Sequence, residues 1–227
     1  MQPSSISGQG SAAGRRLGRL HVLTDVSLQQ RYGHLELAQL ALEGGAEVVQ
    51  LRDKGTLPAT QLIAVARAIA RECEQRGARC VVNDHVDIAL AAGVAGVHVG
   101  RGDPAPEHAR RLLGPAALIG VTVHDEEELR AAMAGPADYL GVGPVFGTTS
   151  KETGLPPLGL EGLARLARAT SVPVIAIGGI TPERVAEVLA AGAYGVAVLG
   201  GVCLAADPVA ATAAYLRALP PAPGRAP

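Results

Sequence analysis

Eight short runs rich in β-branched and aliphatic residues alternate along the chain with longer runs of helical periodicity, and this alternation constrains the fold most strongly. The predicted strands are Leu20–Leu23, Val48–Leu51, Cys80–Val82, Val97–Val99, Leu118–Val121, Tyr139–Val142, Val174–Ile177 and Gly195–Val198. The predicted helices are His34–Glu43, Pro58–Arg76, Val86–Ala92, Ala105–Leu113, Asp125–Met133, Leu160–Ala169, Pro182–Ala191 and Pro208–Leu219. Strands that alternate with helices predict a parallel sheet, and eight such units favour a single (β/α)8 TIM barrel.

An open, doubly wound sheet is the competing architecture, and it usually carries G-x-G-x-x-G after its first strand. Here the first strand runs into Thr24 and Asp25, with no such loop. We therefore expect one barrel domain over residues 20–219. A flexible leader rich in Ser, Gly and Ala precedes it at 1–19, and a Pro-rich tail follows at 220–227.

Composition excludes several classes of protein. The formal net charge of -1 argues against a basic nucleic-acid binder, and four Tyr with one Phe cannot form an extended base-stacking surface. No apolar run is long enough to predict a membrane helix. Three widely spaced cysteines without a C-x-x-C pair suggest neither a zinc site nor a disulfide framework, so we expect free thiols in a reducing cytoplasm.

Polar residues collect after the predicted strands, whereas the opposite loops hold mostly Gly, Ala, Pro and scattered Arg. Active sites of (β/α)8 barrels lie at the carboxyl ends of the strands, so this polarity indicates an enzyme. Lys54 and Lys151 are the only two lysines among 20 basic residues, and both follow strands. Coincidence is the alternative, but keeping lysine there suggests a chemical need for a compact ammonium group.

Two strand ends predict a site for a polyanion and a metal. Gln50, Arg52 and Lys54 alternate with a period of two, which places them on one face, and the two cations suit pyrophosphate. Asp53 faces the other way, as a solvated or bridging carboxylate. Asp84 and Asp103 follow neighbouring strands and form an oxygen site suited to Mg²⁺, although Asp84 could instead cap the helix that begins near Val86.

A second anion site is predicted on the other side of the barrel. Thr148, Ser150 and Lys151 lie in a long loop with glycines, and Gly178-Gly179 and Gly200-Gly201 end strands seven and eight. Hydroxyls, backbone amides and one cation are typical of a phosphate site.

The glycine-rich loop at 147–154 is a candidate lid. His98 near a strand end is a core or a site histidine, and His124 is an acid–base candidate or the start of a helix.

With these residues in place, the chain resembles the thiamine-phosphate synthase family from about Leu20 to Leu219. The resemblance rests on four strings, which are QLRDK at 50–54, VVNDHVDIALAAGVAGVHVGRGD at 81–103, GPVFGTTSK at 143–151 and the less specific VIAIGGIT at 174–181. It implies a Mg²⁺-dependent (β/α)8 barrel that joins hydroxymethylpyrimidine pyrophosphate to thiazole phosphate. Its partners are then small molecules, with no nucleic acid or membrane. The sequence does not fix the oligomeric state, and a homo-oligomer is compatible with it.

The resemblance also implies roles for single residues. Asp84 and Asp103 would hold Mg²⁺, and Gln50 and His98 would contact the pyrimidine. The residues expected to bind pyrophosphate are Arg52, Lys54, Asn83, Thr122 and Lys151, and all of these except Asn83 are also the predicted catalytic residues. The residues expected to bind thiazole phosphate are Thr148, Ser150, Gly179 and Gly200. The chain departs from the family pattern at Thr122 and Gly200, where Ser is usual, and at Gly147, where Pro is usual.

Three alternatives remain at this point. Thiazole tautomerases share the barrel, tend to lose the carboxylates and the strand-two lysine, and rely on a histidine after strand five, where this chain has His124. A non-catalytic barrel that binds phosphate ligands is the second. A Schiff-base aldolase is the third, but it needs a lysine inside a strand, and Lys54 and Lys151 are both expected on loops.

Overall fold

The computed structural model describes residues 17–148, 154 and 156–220. Its strands are β1 Leu20–Thr24, β2 Val48–Leu51, β3 Arg79–Asn83, β4 Gly96–Val99, β5 Leu118–Val123, β6 Tyr139–Val142, β7 Val174–Ile177 and β8 Gly195–Val198. Its helices are α1 His34–Glu43, α2 Ala59–Gln75, α3 Val86–Ala92, α4 Pro106–Leu113, α5 Glu126–Ala134, α6 Gly159–Arg168, α7 Val185–Ala190, α8 Gly200–Cys203 and α9 Pro208–Ala218.

Parallel pairing runs from each strand to the next, and β8 pairs back onto β1, so the sheet closes into an eight-stranded barrel. The predicted (β/α)8 fold is confirmed, as are all eight predicted strands. Since every strand is parallel, their carboxyl ends lie at one mouth of the barrel. In the part of the chain that the structure describes, no helix is long and apolar enough to span a membrane.

Side-chain caps mark the starts of two of the described helices, α5 and α9. The Asp207 carboxylate accepts a hydrogen bond from the amide of Ala210 and caps α9, and Pro208 occupies the first helical position, as predicted. The predicted seventh helix instead begins with a 3-10 turn at Pro182–Arg184, and the side chain of Thr181 makes no capping bond. The four-residue α8 was not predicted, because its Gly-Gly-Val-Cys sequence shows no helical period.

Alternating strand residues point into the barrel, where they form a core separate from the one beneath the helices. Val48, Val81, Leu118, Tyr139 and Ile175 belong to this interior cluster. His21 on β1 lies among them with no exposed surface. Its Nε2 is 3.1 Å from the carbonyl oxygen of Gly18, and burial lowers its pKa to about 3.

This buried histidine predicts acid sensitivity. Below pH 6.5 the unfolded chain protonates His21 but the native chain does not, so its contribution to stability is lost as pH falls from 6.5 towards 3. The contribution of His21 to the free energy of unfolding then changes with pH by up to about 1.4 kcal/mol per pH unit. Urea unfolding between pH 7.5 and 4.5 should therefore show a shallower pH dependence for His21→Gln than for wild type. The exposed His108→Gln is the matched control, and equal slopes for His21→Gln and wild type would contradict the assignment.

Candidate active site

A cavity of about 420 Å³ opens at the carboxyl ends of the strands. It runs from the barrel interior to the loops after β6, β7 and β8. Eight of the residues predicted to bind substrate line it, namely Gln50, Arg52, Asn83, His98, Thr122, Thr148, Gly179 and Gly200. The structure therefore gathers residues of both predicted anion sites around one space. Ser150 and Lys151 lie outside the described residues, as does most of the candidate lid at 147–154.

A row of hydrogen-bonded side chains crosses the inner part of the cavity. The Tyr139 hydroxyl bonds with Gln50, and it lies 3.1 Å from Nδ1 of His98. On the other edge of the imidazole, Nε2 is 2.9 Å from the Thr122 hydroxyl. His98 thus lines the cavity with a partner at each ring nitrogen, which is compatible with both the core and the site interpretation.

Arg52 forms a buried ion pair with Asp25, which follows β1. Asp25 is 1% exposed and Arg52 7%. The amide and hydroxyl of Ser27 donate hydrogen bonds of 2.9 and 2.6 Å to Asp25, which fixes the carboxylate. Burial lowers the pKa of Arg52, and the charge of Asp84 partly opposes that shift. The guanidinium is therefore held at the cavity wall by a carboxylate behind it.

Asp53 anchors the loop that carries Lys54. Its carboxylate accepts hydrogen bonds of 3.0 Å from the amides of Gly55 and Thr56, and it lies 3.3 Å from Nε2 of His34. It is 4% exposed. Asp53 was expected to be either solvated or bridging. It is a bridging carboxylate, and the expectation of a solvated one is wrong, because the loop closes over Asp53.

Lys54, Asp84 and Asp103 form a cluster beside the cavity. The Lys54 ammonium lies 2.6 Å from Asp84, and the two carboxyl groups share a hydrogen bond. Burial raises the pKa of Asp103, and Asp84 raises it further. Burial acts the same way on Asp84, but the hydrogen bonds with Lys54 and Asp103 outweigh it and lower that pKa. The pair therefore holds one negative charge more readily than two.

The chemistry of this cluster fits a divalent cation. Asp84 has φ of +67°, the one positive value at a non-glycine residue in the described chain, and such backbone is typical of functional sites. Helix α3 receives no side-chain capping bond from it, so the alternative of a helix cap does not hold. No group of three or more His, Cys, Asp or Glu side chains gathers around a metal position within the described ranges. A cation here would take its other oxygens from water or from a substrate phosphate.

Two glycine pairs, at 178–179 and 200–201, line the opposite side of the cavity. Gly178 and Gly179 have φ of +103° and +63°, and a Cβ on either would meet the loop after β6 at 2.7 and 2.4 Å. The Phe146 amide donates a 2.9 Å hydrogen bond to the Gly178 carbonyl, which joins the two loops. Helix α8 begins at Gly200 on the same wall. A short extra helix after β8 is a recurrent part of phosphate sites in these barrels.

Sequence reasoning missed two residues of the site. Asp25 was seen to follow the first strand but was given no role, although Thr24 and Leu51 are register partners, which brings Asp25 beside Arg52. Tyr139 was assigned only to a strand, because one tyrosine in an apolar run looks like core. The strand register would have indicated its role, because Gly120 lies level with His98 on one side and with Tyr139 on the other. His124 also lines the cavity, with Nδ1 against the Gly143 carbonyl.

Comparison with known proteins gives a consistent result. The family model described as thiamine monophosphate synthase matches residues 20–202. The chain is 45% identical over 219 residues to a thiamine-phosphate synthase of Salinibacter ruber, with 96% of each chain covered. It is 50% identical over 180 residues to one of Laribacter hongkongensis, with 79% of this chain and 84% of the relative covered.

Solved structures agree with the sequence comparison. The thiamine phosphate pyrophosphorylase of Pyrococcus furiosus has a TM-score of 0.79 and 35% identity, and the match covers 88% of this chain and 94% of that one. A 3-hexulose-6-phosphate synthase, at 19% identity and a TM-score of 0.63, shares the fold.

The buried ion pair leads to a stability prediction. Asp25→Ala leaves the Arg52 charge buried without its partner, so the free energy of unfolding should fall by about 3 kcal/mol. Asp25→Ala with Arg52→Met should recover part of that loss, because the unpaired charge is gone. Asp87→Ala, at an exposed aspartate on α3, is the control and should change stability by less than about 0.5 kcal/mol. Urea unfolding measures all three, and equal losses for Asp25→Ala and Asp87→Ala would rule out a supporting role for the pair.

Proposed function

The chain belongs to the thiamine monophosphate synthase family, and we propose on this basis that it joins hydroxymethylpyrimidine pyrophosphate to thiazole phosphate. The products are thiamine phosphate and pyrophosphate, so the enzyme is a transferase of thiamine biosynthesis. The observation that carries the proposal is the pairing of two unlike anion sites on one cavity. Arg52 and Asn83 line one side of the cavity, with the Lys54–Asp84 ion pair beside them, and the glycines after β7 and β8 line the other side.

The pyrophosphate side comprises Arg52, Lys54, Asn83 and Thr122. Arg52 and Lys54 bring positive charge to the ends of the substrate on which negative charge grows as the bond to pyrophosphate breaks. Asn83 and Thr122 line the same wall and add hydrogen-bond donors. Lys151 is the further cation that the motif assigns to this group.

Asp84 and Asp103 would hold Mg²⁺ in this proposal. The ion would neutralise part of the charge of pyrophosphate when it is bound. The shared hydrogen bond between the two carboxyl groups and the adjacent Lys54 support this assignment, because the cluster is short of positive charge when both carboxylates are ionised. Lys54 bridges the carboxylates and the pyrophosphate site from its anchored loop.

The two organic parts of the substrates are assigned to different depths of the cavity. Gln50 and His98, held in the row with Tyr139, would contact the pyrimidine. Thr148, Ser150, Gly179 and Gly200 would bind the phosphate of the thiazole. Gly200 lacks the hydroxyl usual in the family, so its backbone amide at the start of α8 carries the interaction.

The reaction needs no general base at the bond that changes. The bond between the pyrimidine methylene carbon and pyrophosphate breaks, and its electron pair leaves with the pyrophosphate. The lone pair of the thiazole nitrogen then forms the new carbon–nitrogen bond. This chain therefore contributes charge, orientation and exclusion of water rather than a proton transfer.

The state of the cysteines fits the expected location. Cys73, Cys80 and Cys203 are all free and buried, and burial raises the pKa of each thiol. Buried neutral thiols without disulfides are typical of a reducing compartment, so the cytoplasm is part of the proposal.

The proposal is tested by mixing the purified chain with both substrates, with and without Mg²⁺, and measuring thiamine phosphate. Product should form only with Mg²⁺, and Asp84→Asn and Asp103→Asn should each lower kcat at least about 100-fold. Asp87→Asn, an exposed carboxylate three residues from Asp84, is the matched control. A folded chain that binds both substrates by calorimetry but forms no product would favour the non-catalytic barrel instead.

The tautomerase remains the second candidate because His124 lines the cavity. If the chain is a synthase, His124→Gln should lower the rate of thiamine phosphate formation by less than about tenfold, since no step needs an acid or base there. The same variant is assayed for isomerisation of the thiazole substrate by proton NMR. Isomerisation by wild type that His124→Gln abolishes, without thiamine phosphate formation, would replace the synthase assignment.

A further inference from the structure

Tyr139 is a buried tyrosine whose hydroxyl reaches the side chains of the cavity. Its side chain is 1% exposed, and its ring packs edge-on against His21 with centroids 5.2 Å apart. The hydroxyl meets Gln50 on one side and Nδ1 of His98 on the other. The row of Gln50, Tyr139, His98 and Thr122 thus joins four different strands through hydrogen bonds, and we call it the interior row.

The barrel makes space for the interior row at two glycines. A Cβ on Gly120 would lie 2.2 Å from the Tyr139 ring and 2.4 Å from Nδ1 of His98. A Cβ on Gly141 would lie 2.7 Å from Cε1 of His98. Gly120 is the register partner of both His98 and Tyr139, so any side chain at that position would separate them. The contact between the two rings is therefore built into the sequence of β5 and β6.

The direction of each hydrogen bond follows from counting protons. Tyr139 and Thr122 lie on the two ring nitrogens of His98, and a phenol is a stronger hydrogen-bond donor than an aliphatic hydroxyl, so Tyr139 is the donor to the unprotonated nitrogen. The single proton of Tyr139 is then donated to Nδ1 of His98. A neutral imidazole that accepts at Nδ1 carries its proton on Nε2, which faces Thr122 at 2.9 Å.

Thr122 is the outward end of the interior row. Because its oxygen accepts a hydrogen bond from His98, its own proton is free to be donated elsewhere. Thr122 lines the cavity, and Thr122 and Asp103 both border Gly100, where an added Cβ would lie 3.6 Å from the Thr122 oxygen and 3.4 Å from the Asp103 carboxylate. The hydroxyl proton is therefore available at the side of the cavity assigned to pyrophosphate.

We propose that Tyr139 is a positioning residue of the transfer reaction, which sets the tautomer of His98 and so directs the Thr122 hydroxyl as a donor to the leaving pyrophosphate. This inference rests on the proposed function for the identity of the acceptor. In the other tautomer of His98, Nδ1 is protonated and Thr122 donates its hydrogen bond to Nε2. In that arrangement no hydroxyl proton points at the substrate, although every contact distance is the same.

Kinetics of single and double variants test the coupling between Tyr139 and Thr122. Tyr139→Phe keeps the ring and removes the hydroxyl, and it should lower kcat roughly tenfold, the usual effect of losing one hydrogen bond to a charged group. Thr122→Val should have a similar or larger effect. In the double variant, kcat should stay within about twofold of that of Thr122→Val, because Tyr139 acts through that hydroxyl.

Two controls separate this role from a merely structural one. Tyr194→Phe removes another tyrosine hydroxyl, which donates to the Leu17 carbonyl at 3.1 Å at the opposite end of the barrel, and it should leave kcat unchanged. The KM for thiazole phosphate should be the same in Tyr139→Phe and wild type, since that substrate binds to the other wall. Independent, multiplying losses in the Tyr139→Phe/Thr122→Val variant would overturn the inference.

Nitrogen-15 NMR of the histidine side chains tests the tautomer directly and needs no activity. The His98 signal is assigned by its loss in His98→Gln. In wild type this signal should show a protonated Nε2 and an unprotonated Nδ1. Tyr139→Phe should shift that signal towards a mixture of tautomers. Protonated Nδ1 in wild type overturns the inference even if thiamine phosphate is formed. Bare Nδ1 without any thiamine phosphate formation would leave the tautomer assignment standing and reject the proposed function.

Discussion

Closure of eight parallel strands is the constraint on which the rest of the structure depends. Because β8 pairs with β1, each strand has two hydrogen-bonded neighbours and all eight carboxyl ends meet at one mouth. Arg52 and Asp84 are distant in sequence but lie near each other because they follow β2 and β3, which pair in parallel within this sheet. The same closure sets alternate residues inward, so one barrel holds a mostly apolar interior layer and a polar mouth.

Charge at this mouth is arranged in pairs rather than scattered. Asp25 neutralises Arg52 from behind, Asp53 closes the loop that presents Lys54, and Lys54 meets Asp84. Each cation is thereby fixed before substrate arrives, which lowers the reorganisation needed as charge develops on a leaving group. The far side is lined by glycines instead, and in the proposed function their backbone would bind a phosphate that stays attached to its substrate throughout.

The fold could be predicted from the sequence because parallel barrel strands are short apolar runs bounded by helices with clear terminal residues. The eight strand positions and the clustering of Arg52, Lys54, Asp84 and Asp103 followed from strand ends alone. Helix α8 could not be predicted, since four residues carry no periodicity. The contacts of Asp25 and Tyr139 could not be predicted without the strand register. A cross-strand contact depends on which residues of two strands lie level, and the sequence of one strand does not contain that information.

The most direct test of the account is a crystal structure of the chain with thiamine phosphate, pyrophosphate and Mn²⁺ in place of Mg²⁺. We expect an anomalous scattering peak in contact with Asp84 and Asp103, pyrophosphate against Arg52 and Lys54, and the phosphate of the product at the amides of Gly179 and Gly200. A metal bound elsewhere, or the two anions on exchanged walls, would contradict the assignment of the site.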